Sequence, residues 1–176
     1  MDMTRLKPVC WLSIVITLVT FAALGTINAG TQTIAAPEGI VSLELCAYGD
    51  RCTAILNSWT PLQVQLAMLS LGLDHLFLLA YPTALFTALY LLSQPLSRPW
   101  QRGAHGAAWL TWLAVPTDAI ENYCLIRLLL DPANIIYTWP ATLIATIKFA
   151  TVGYAILWLV GLTIRPTILW LRTKAI

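Results

Sequence analysis

The stretch Gln63–Leu92, QVQLAMLSLGLDHLFLLAYPTALFTALYLL, decides what kind of protein this is. It is longer than the about 20 helical residues that cross a hydrocarbon core of roughly 30 Å. Its only ionisable groups are Asp74, His75 and two tyrosines, and the acid and the histidine sit side by side within it. So long an apolar run predicts a transmembrane helix. An ionisable group near the bilayer centre costs about 2.5–3.5 kcal/mol on insertion scales, so Asp74 and His75 call for partners on other helices.

Three further runs meet the same length requirement: Val9–Ala29, Ala107–Leu130 and Trp139–Ile164. The whole chain of 176 residues is 59% hydrophobic and 10% charged, with a mean hydropathy of +0.75. Soluble domains carry roughly 45–50% and about 25%, and a water-soluble core of this size cannot absorb the difference. The expected fold is all-α: one membrane domain, a bundle of four transmembrane helices with the segment Gly30–Leu62 as a small external cap. A net charge of +2 in short flanks excludes nucleic acid as a partner. Arg5 and Lys7 ahead of the first run also have the form of a signal peptide ending near Asn28-Ala29-Gly30. That run exceeds the usual 7–15 residues and Ile27 suits the cleavage site poorly, so a retained helix is expected.

Basic residues set the orientation. Arg5, Lys7, Arg98, Arg102, Arg165, Arg172 and Lys174 fall on one side of four crossings. Arg51 alone falls on the other, beside Glu38, Glu44, Asp50 and Asp131. By the positive-inside rule both termini are cytoplasmic, in an inner or plasma membrane. Trp11, Trp59, Trp100, Trp139 and Trp170 lie near run ends, where an amphipathic ring suits the interface. Trp109, Trp112 and Trp158 lie deeper and are expected to pack, and Arg127 is expected to reach the outer headgroups. In the cap, the turn residues Tyr48-Gly49-Asp50 bring Cys46 to Cys52 on the oxidising side, which predicts a disulfide. Cys10 and Cys124 are expected to be buried thiols.

The polar residues of the runs share a depth. Counted from the external ends, Asp74, His75, Asp118, Glu121 and Lys148 all lie about 9–12 residues in, one layer roughly 13–18 Å below the outer boundary. In Pro116-Thr117-Asp118-Ala119-Ile120-Glu121-Asn122-Tyr123, Asp118, Glu121 and Asn122 stand at i, i+3 and i+4 and share a helix face. Pro116 frees a carbonyl one turn earlier, an irregularity tolerated where polar groups meet. Adjacent residues diverge by about 100°, so one of Asp74 and His75 faces the layer; Tyr81 and Pro82 line its inner part. Asp118, Glu121, Asp74 and His75 are thus the candidate catalytic groups, and Asn122, Lys148 and Tyr81 the candidate ligand-binding ones.

Acids, a base and an amide at one dry level suit proton exchange with a lipid-soluble small molecule. Four or five helices enclosing a histidine, acids and an asparagine resemble the sterol-isomerase (emopamil-binding) type in architecture and residue types, a resemblance that carries no residue role. Other readings are a proton- or cation-coupled transporter acting as a dimer, an accessory subunit of a membrane complex, or a charge-compensated staple. Small multidrug exporters place a carboxylate mid-membrane but lack the acid-rich third run and the cap. No helix carries the paired spacing that builds metal sites, so no metal is expected, and the pattern assigns no cofactor.

Overall fold

Thr60-Pro61-Leu62-Gln63 starts the helix around which the others are arranged. Thr60 Oγ1 accepts from the Gln63 amide at 3.4 Å, Gln63 Oε1 accepts from the Thr60 amide at 2.9 Å, and Pro61 takes the first helical position, where no N–H is needed. In this computed structural model, which describes residues 3–174 and side chains through 164, that helix is α4, Pro61–Ser93. The side chains of Arg165, Trp170, Arg172 and Lys174 lie outside the described residues. The remaining helices are α1 (Met3–Ala29), α2 (Ile40–Glu44), α3 (Cys52–Ser58), α5 (Arg98–Thr111), α6 (Ala114–Leu130) and α7 (Thr138–Lys174). Short 3-10 turns cover Cys46–Gly49 and Ile135–Tyr137, and no strand occurs among the described residues.

Three stretches are long and apolar enough to cross a membrane: Met3–Ala29 (27 residues), Pro61–Ser93 (33 residues) and Ile135–Ile164 (30 residues). The expected third run, Ala107–Leu130, is not one helix. It divides at Trp112-Leu113 into the end of α5 (14 residues) and all of α6 (17 residues). The cause is Pro116, which has no N–H for the Trp112 carbonyl. That carbonyl accepts from Val115 at 3.3 Å instead, and Trp112 and Leu113 donate three residues back, to Trp109 and Leu110. Both pieces nevertheless follow one line along α4. Going up α5 and α6, His105 stacks on Tyr90, Trp109 meets Phe86, Asp118 meets Tyr81 and Asn122 meets Asp74. Partner numbers fall as these rise, so α5 and α6 form one bent antiparallel path.

The other long helices pack on the same core. α1 lies antiparallel to α4, with Gly30 against Leu66 and Phe21 against Phe77. α7 packs on α4, α5 and α6, and its meeting with α1 is at most marginal. At the α5 end the packing is by small residues: Ala104, Ala107, Ala108 and Ala155 are buried, and Gly103 admits the ring of Trp158. At the other end the cap closes on Leu43, Ile55, Leu125 and Leu128, all buried.

The cap is tied at several points. Gly39 has φ +59°, and a Cβ there would collide with Asn28 and Thr31. Asn28 Oδ1 accepts from the Ile40 amide at 2.8 Å and its Nδ2 donates to the Glu38 carbonyl at 3.2 Å. Asp50, at φ 50°, turns the chain so that Cys46 and Cys52 form the expected disulfide. The Ala47 amide donates to Thr142 Oγ1 at 3.3 Å, and the Tyr48 hydroxyl meets Thr146 Oγ1 at 2.8 Å, which moors the cap on α7.

Some placements depart from the sequence reading. Trp59 is buried in the cap and donates to the Thr31 carbonyl at 2.7 Å rather than facing outward. Trp109 and Trp112 lie on the outer surface, touching Phe86 edge-on, because the small residues of α5 occupy its inner face. Trp158 packs as expected, on Trp100 and Gly103. Arg127 places its guanidinium 5.6 Å from the Tyr137 ring. Cys10 and Cys124 are buried thiols.

Candidate functional site

The i, i+3, i+4 spacing on α6 turns Asp118, Glu121 and Asn122 into the bundle, and each is at most 1% exposed. On α7, two residues beyond its last mooring to the cap at Thr146, Lys148 meets them. Its Nζ lies 2.8 Å from Glu121 Oε2 and 3.0 Å from Asp118 Oδ1, and it rests 5.0 Å from the Phe149 ring centroid. On α4, Tyr81 donates to Asp118 Oδ2 at 3.2 Å, and Asp74 Oδ2 accepts from Asn122 Nδ2 at 2.8 Å. Three helices thus bring Asp74, Tyr81, Asp118, Glu121, Asn122 and Lys148 to one level. The Lys148 ammonium lies among these carboxylates and pairs with Asp118 and Glu121.

His75 is not among them. It lies on the exposed face of α4, and its Nδ1 donates to the Leu71 carbonyl 2.8 Å away. The carbonyl is an acceptor only, so the bond fixes the proton on Nδ1 and holds the ring along its own helix. Asp74 takes the inward position that the pair's divergence left to one of them.

A cavity of about 640 Å³ borders the cluster. Asp74 and Tyr81 of α4, Asp118 of α6 and Lys148 of α7 face it, and the rest of the wall is mostly apolar, including Phe21, Leu24, Phe77, Val152 and Leu159. α1 and α7 both line this space while scarcely touching each other. Glu121 and Asn122 do not face the cavity; they stand behind its wall. Glu121 acts on the space through Lys148, and Asn122 through Asp74. Glu121 Oε1 has no hydrogen-bond partner among the described residues.

Sequence reasoning missed Glu44, the last residue of α2. It is 8% exposed, faces the same cavity, and puts Oε2 3.8 Å from Lys148 Nζ. Burial pushes its carboxyl up to about 7; Lys148 pulls the other way, and Asp74 and Asp118 add to the rise. A signal was present in Leu43-Glu44-Leu45-Cys46, where a single acid interrupts an apolar stretch in an otherwise polar loop.

Four carboxyl groups therefore gather round one ammonium in a space of low polarity. Lys148 is shared among three of them, Glu121, Asp118 and Glu44, at 2.8, 3.0 and 3.8 Å. Compared with known protein families, curated proteins and solved structures, the chain matches none of them.

Proposed function

We propose that this chain is a membrane protein of four crossings that binds a lipid-soluble small molecule and transforms it by proton transfer at the carboxylate layer. The reading is carried by one observation: the apolar cavity, lined by α1 and α7 where they scarcely touch, has Asp74, Asp118, Tyr81 and Lys148 on its wall. A molecule dissolved in lipid reaches such a space sideways without passing through water. Asp74 and Asp118 then serve as proton donor and acceptor, with Lys148 compensating charge and Glu121 and Asn122 positioning Lys148 and Asp74.

The distribution of side chains supports the membrane part of the reading. Leu18, Val19, Leu69, Leu79, Ile147 and Leu157 point outward while acids, a lysine and hydroxyls are buried. This inverts the usual order of a soluble protein and suits an apolar solvent. In this reading the bent α5–α6 path is the remaining crossing, and the excess of basic residues in the flanks supports cytoplasmic ends with the cap outside.

The test is retention of ligand. Protein purified from membranes in mild detergent is extracted and its lipid-soluble contents compared by mass spectrometry with those of Ala84→Trp, which fills the cavity, and Asp118→Asn, which removes charge from its wall. A species held in stoichiometric amount by the unmodified chain and lost from Ala84→Trp is the expected result. Identical contents in folded samples of all three would remove the cavity from the argument.

A further inference from the structure

Glu44 is the site residue that belongs to no crossing. It is carried on α2, and the ties of the cap converge on its placement: the Asn28 bonds and the left-handed Gly39 lead the chain in, and the Cys46–Cys52 disulfide with the Thr142 and Thr146 moorings fixes it beyond. The result is a carboxyl lowered from the cap onto a lysine that Asp118 and Glu121 already neutralise. As a structural group Glu44 is superfluous, because its ion pair is the longest of the three and its Oε2 has no hydrogen bond among the described residues. A buried carboxyl whose Oε2 has only a long ion pair is costly, and a leucine in its place would suit the neighbouring Leu43 and Ile40 better.

Its position suggests what offsets that cost. The groups facing it are Lys148 of α7, Asp118 and Glu121 of α6, and Asp74 of α4; α1 adds no titratable group to the shared wall. On the other side, Tyr48, Gly49, Asp50 and Arg51 follow within two turns of chain and are exposed. Glu44 is therefore the acid of the cluster that the cap itself carries, four residues of chain from the exposed Tyr48.

We propose that Glu44 is the group through which the buried cluster exchanges protons with the external aqueous phase. A proton from external water adds to the Glu44 carboxylate to give the neutral acid. Lys148 gives one of its own protons to the Glu121 or Asp118 carboxylate and takes the Glu44 proton in its place, so Glu44 returns to the anion. Lys148 is an ammonium before and after the step, and the net change is one proton moved inward. This rests on the cap being external, as proposed above, but not on any ligand.

The test uses the full chain in right-side-out membrane vesicles. A water-soluble carbodiimide, to whose central carbon the carboxyl oxygen adds once the acid has protonated it, is added outside with an amine that then displaces the urea, and modified residues are mapped by mass spectrometry. Glu44 is expected to react at least about tenfold faster than Asp74, Asp118 or Glu121, and faster as external pH falls through about 7. Reaction of Asp118 or Glu121 at the Glu44 rate, or no reaction at Glu44, would overturn the proposal. In a second measurement, deuterium exchange of the buried carboxyl groups is followed by infrared spectroscopy. Exchange should slow at least about tenfold in Glu44→Gln and recover in Glu44→Asp, whereas an unchanged rate in folded Glu44→Gln would overturn it. If Glu44→Gln fails to fold, the labelling of the unmodified chain decides. Identical lipid-soluble contents in the unmodified chain and Ala84→Trp, with the labelling as expected, would remove the enzyme reading and leave this one standing.

Discussion

α1 and α6 are opposites in composition and in burial, and the wrong way round for water. α1 is almost wholly apolar over Val9–Ala29, yet it buries only Leu6, Cys10, Ser13 and Thr20 and leaves Trp11, Leu12, Val15, Leu18, Val19 and Phe21 exposed. α6 carries two acids and an amide and buries all three, together with Cys124, Leu125, Leu128 and Leu129. The face α1 turns inward is small and hydroxylated, and its hydroxyls bond to their own helix, as Ser13 does to Cys10 and Thr20 to Ile16. Close approach of backbones holds α1 to α4, whereas charge pairing and hydrogen bonds hold α6 to α4 and α7.

If that contrast is right, the largest effect comes from removing the charge at the centre of the polar half. Lys148→Met leaves Asp118 and Glu121 facing each other without a counterion. The expected loss is about 3–5 kcal/mol, read as a fall in the thermal midpoint in detergent. Lys148→Arg keeps the charge and should fall much less. Equal losses from both would mean that shape, not charge, holds the layer.

Much of this was legible in the sequence. The depth count and the i, i+3, i+4 spacing placed Asp118, Glu121, Asn122 and Lys148 in one layer, and they do meet. Helical periodicity is fixed by the backbone, so a shared face can be read without coordinates. Three things were not readable. Pro116 announced an irregularity, but whether the helix kinks or divides depends on how its neighbours satisfy Trp112 and Leu113. The choice between Asp74 and His75 turned on helix rotation about its axis, which local pattern leaves open when both flanks are apolar. Glu44 depended on a loop folding back into the bundle, and loop paths are set by tertiary ties such as Asn28 and Gly39 that no periodicity encodes.

The cap offers a second, intermediate way to sharpen the comparison, since it is held by both kinds of contact. Opening its ring with Cys46→Ser and Cys52→Ser together should cost about 2 kcal/mol, the amount expected for closing so short a loop. Thermal denaturation with and without reductant checks it: the unmodified chain under reductant should match the double variant. A pH effect belongs to the same region. With its carboxyl raised from 4.5 to about 7, Glu44 holds in the folded chain a proton that the unfolded chain releases. Its contribution to stability is therefore present below pH about 4.5 and lost as pH rises toward about 7. Glu44→Gln should flatten the thermal midpoint across that window. A slope unchanged by the substitution would assign the dependence to the other acids.

The smallest effects test α1 directly, and they should run against intuition for a hydrophobic helix. Leu18→Ala removes an exposed apolar side chain from its outer face; with lipid or detergent on that face in both the folded and the separated state, the change should stay within about 0.5 kcal/mol. Ser13→Leu makes the same helix more hydrophobic but places the added bulk on its buried face, where α1 and α4 lie close. It should cost about 1 kcal/mol or more, because the backbones must separate to admit it. Thermal midpoints of the two variants in one detergent give the comparison. If Ser13→Leu proves the more stable of the two, α1 is not held by close contact, and the cavity beside it has walls free to move apart.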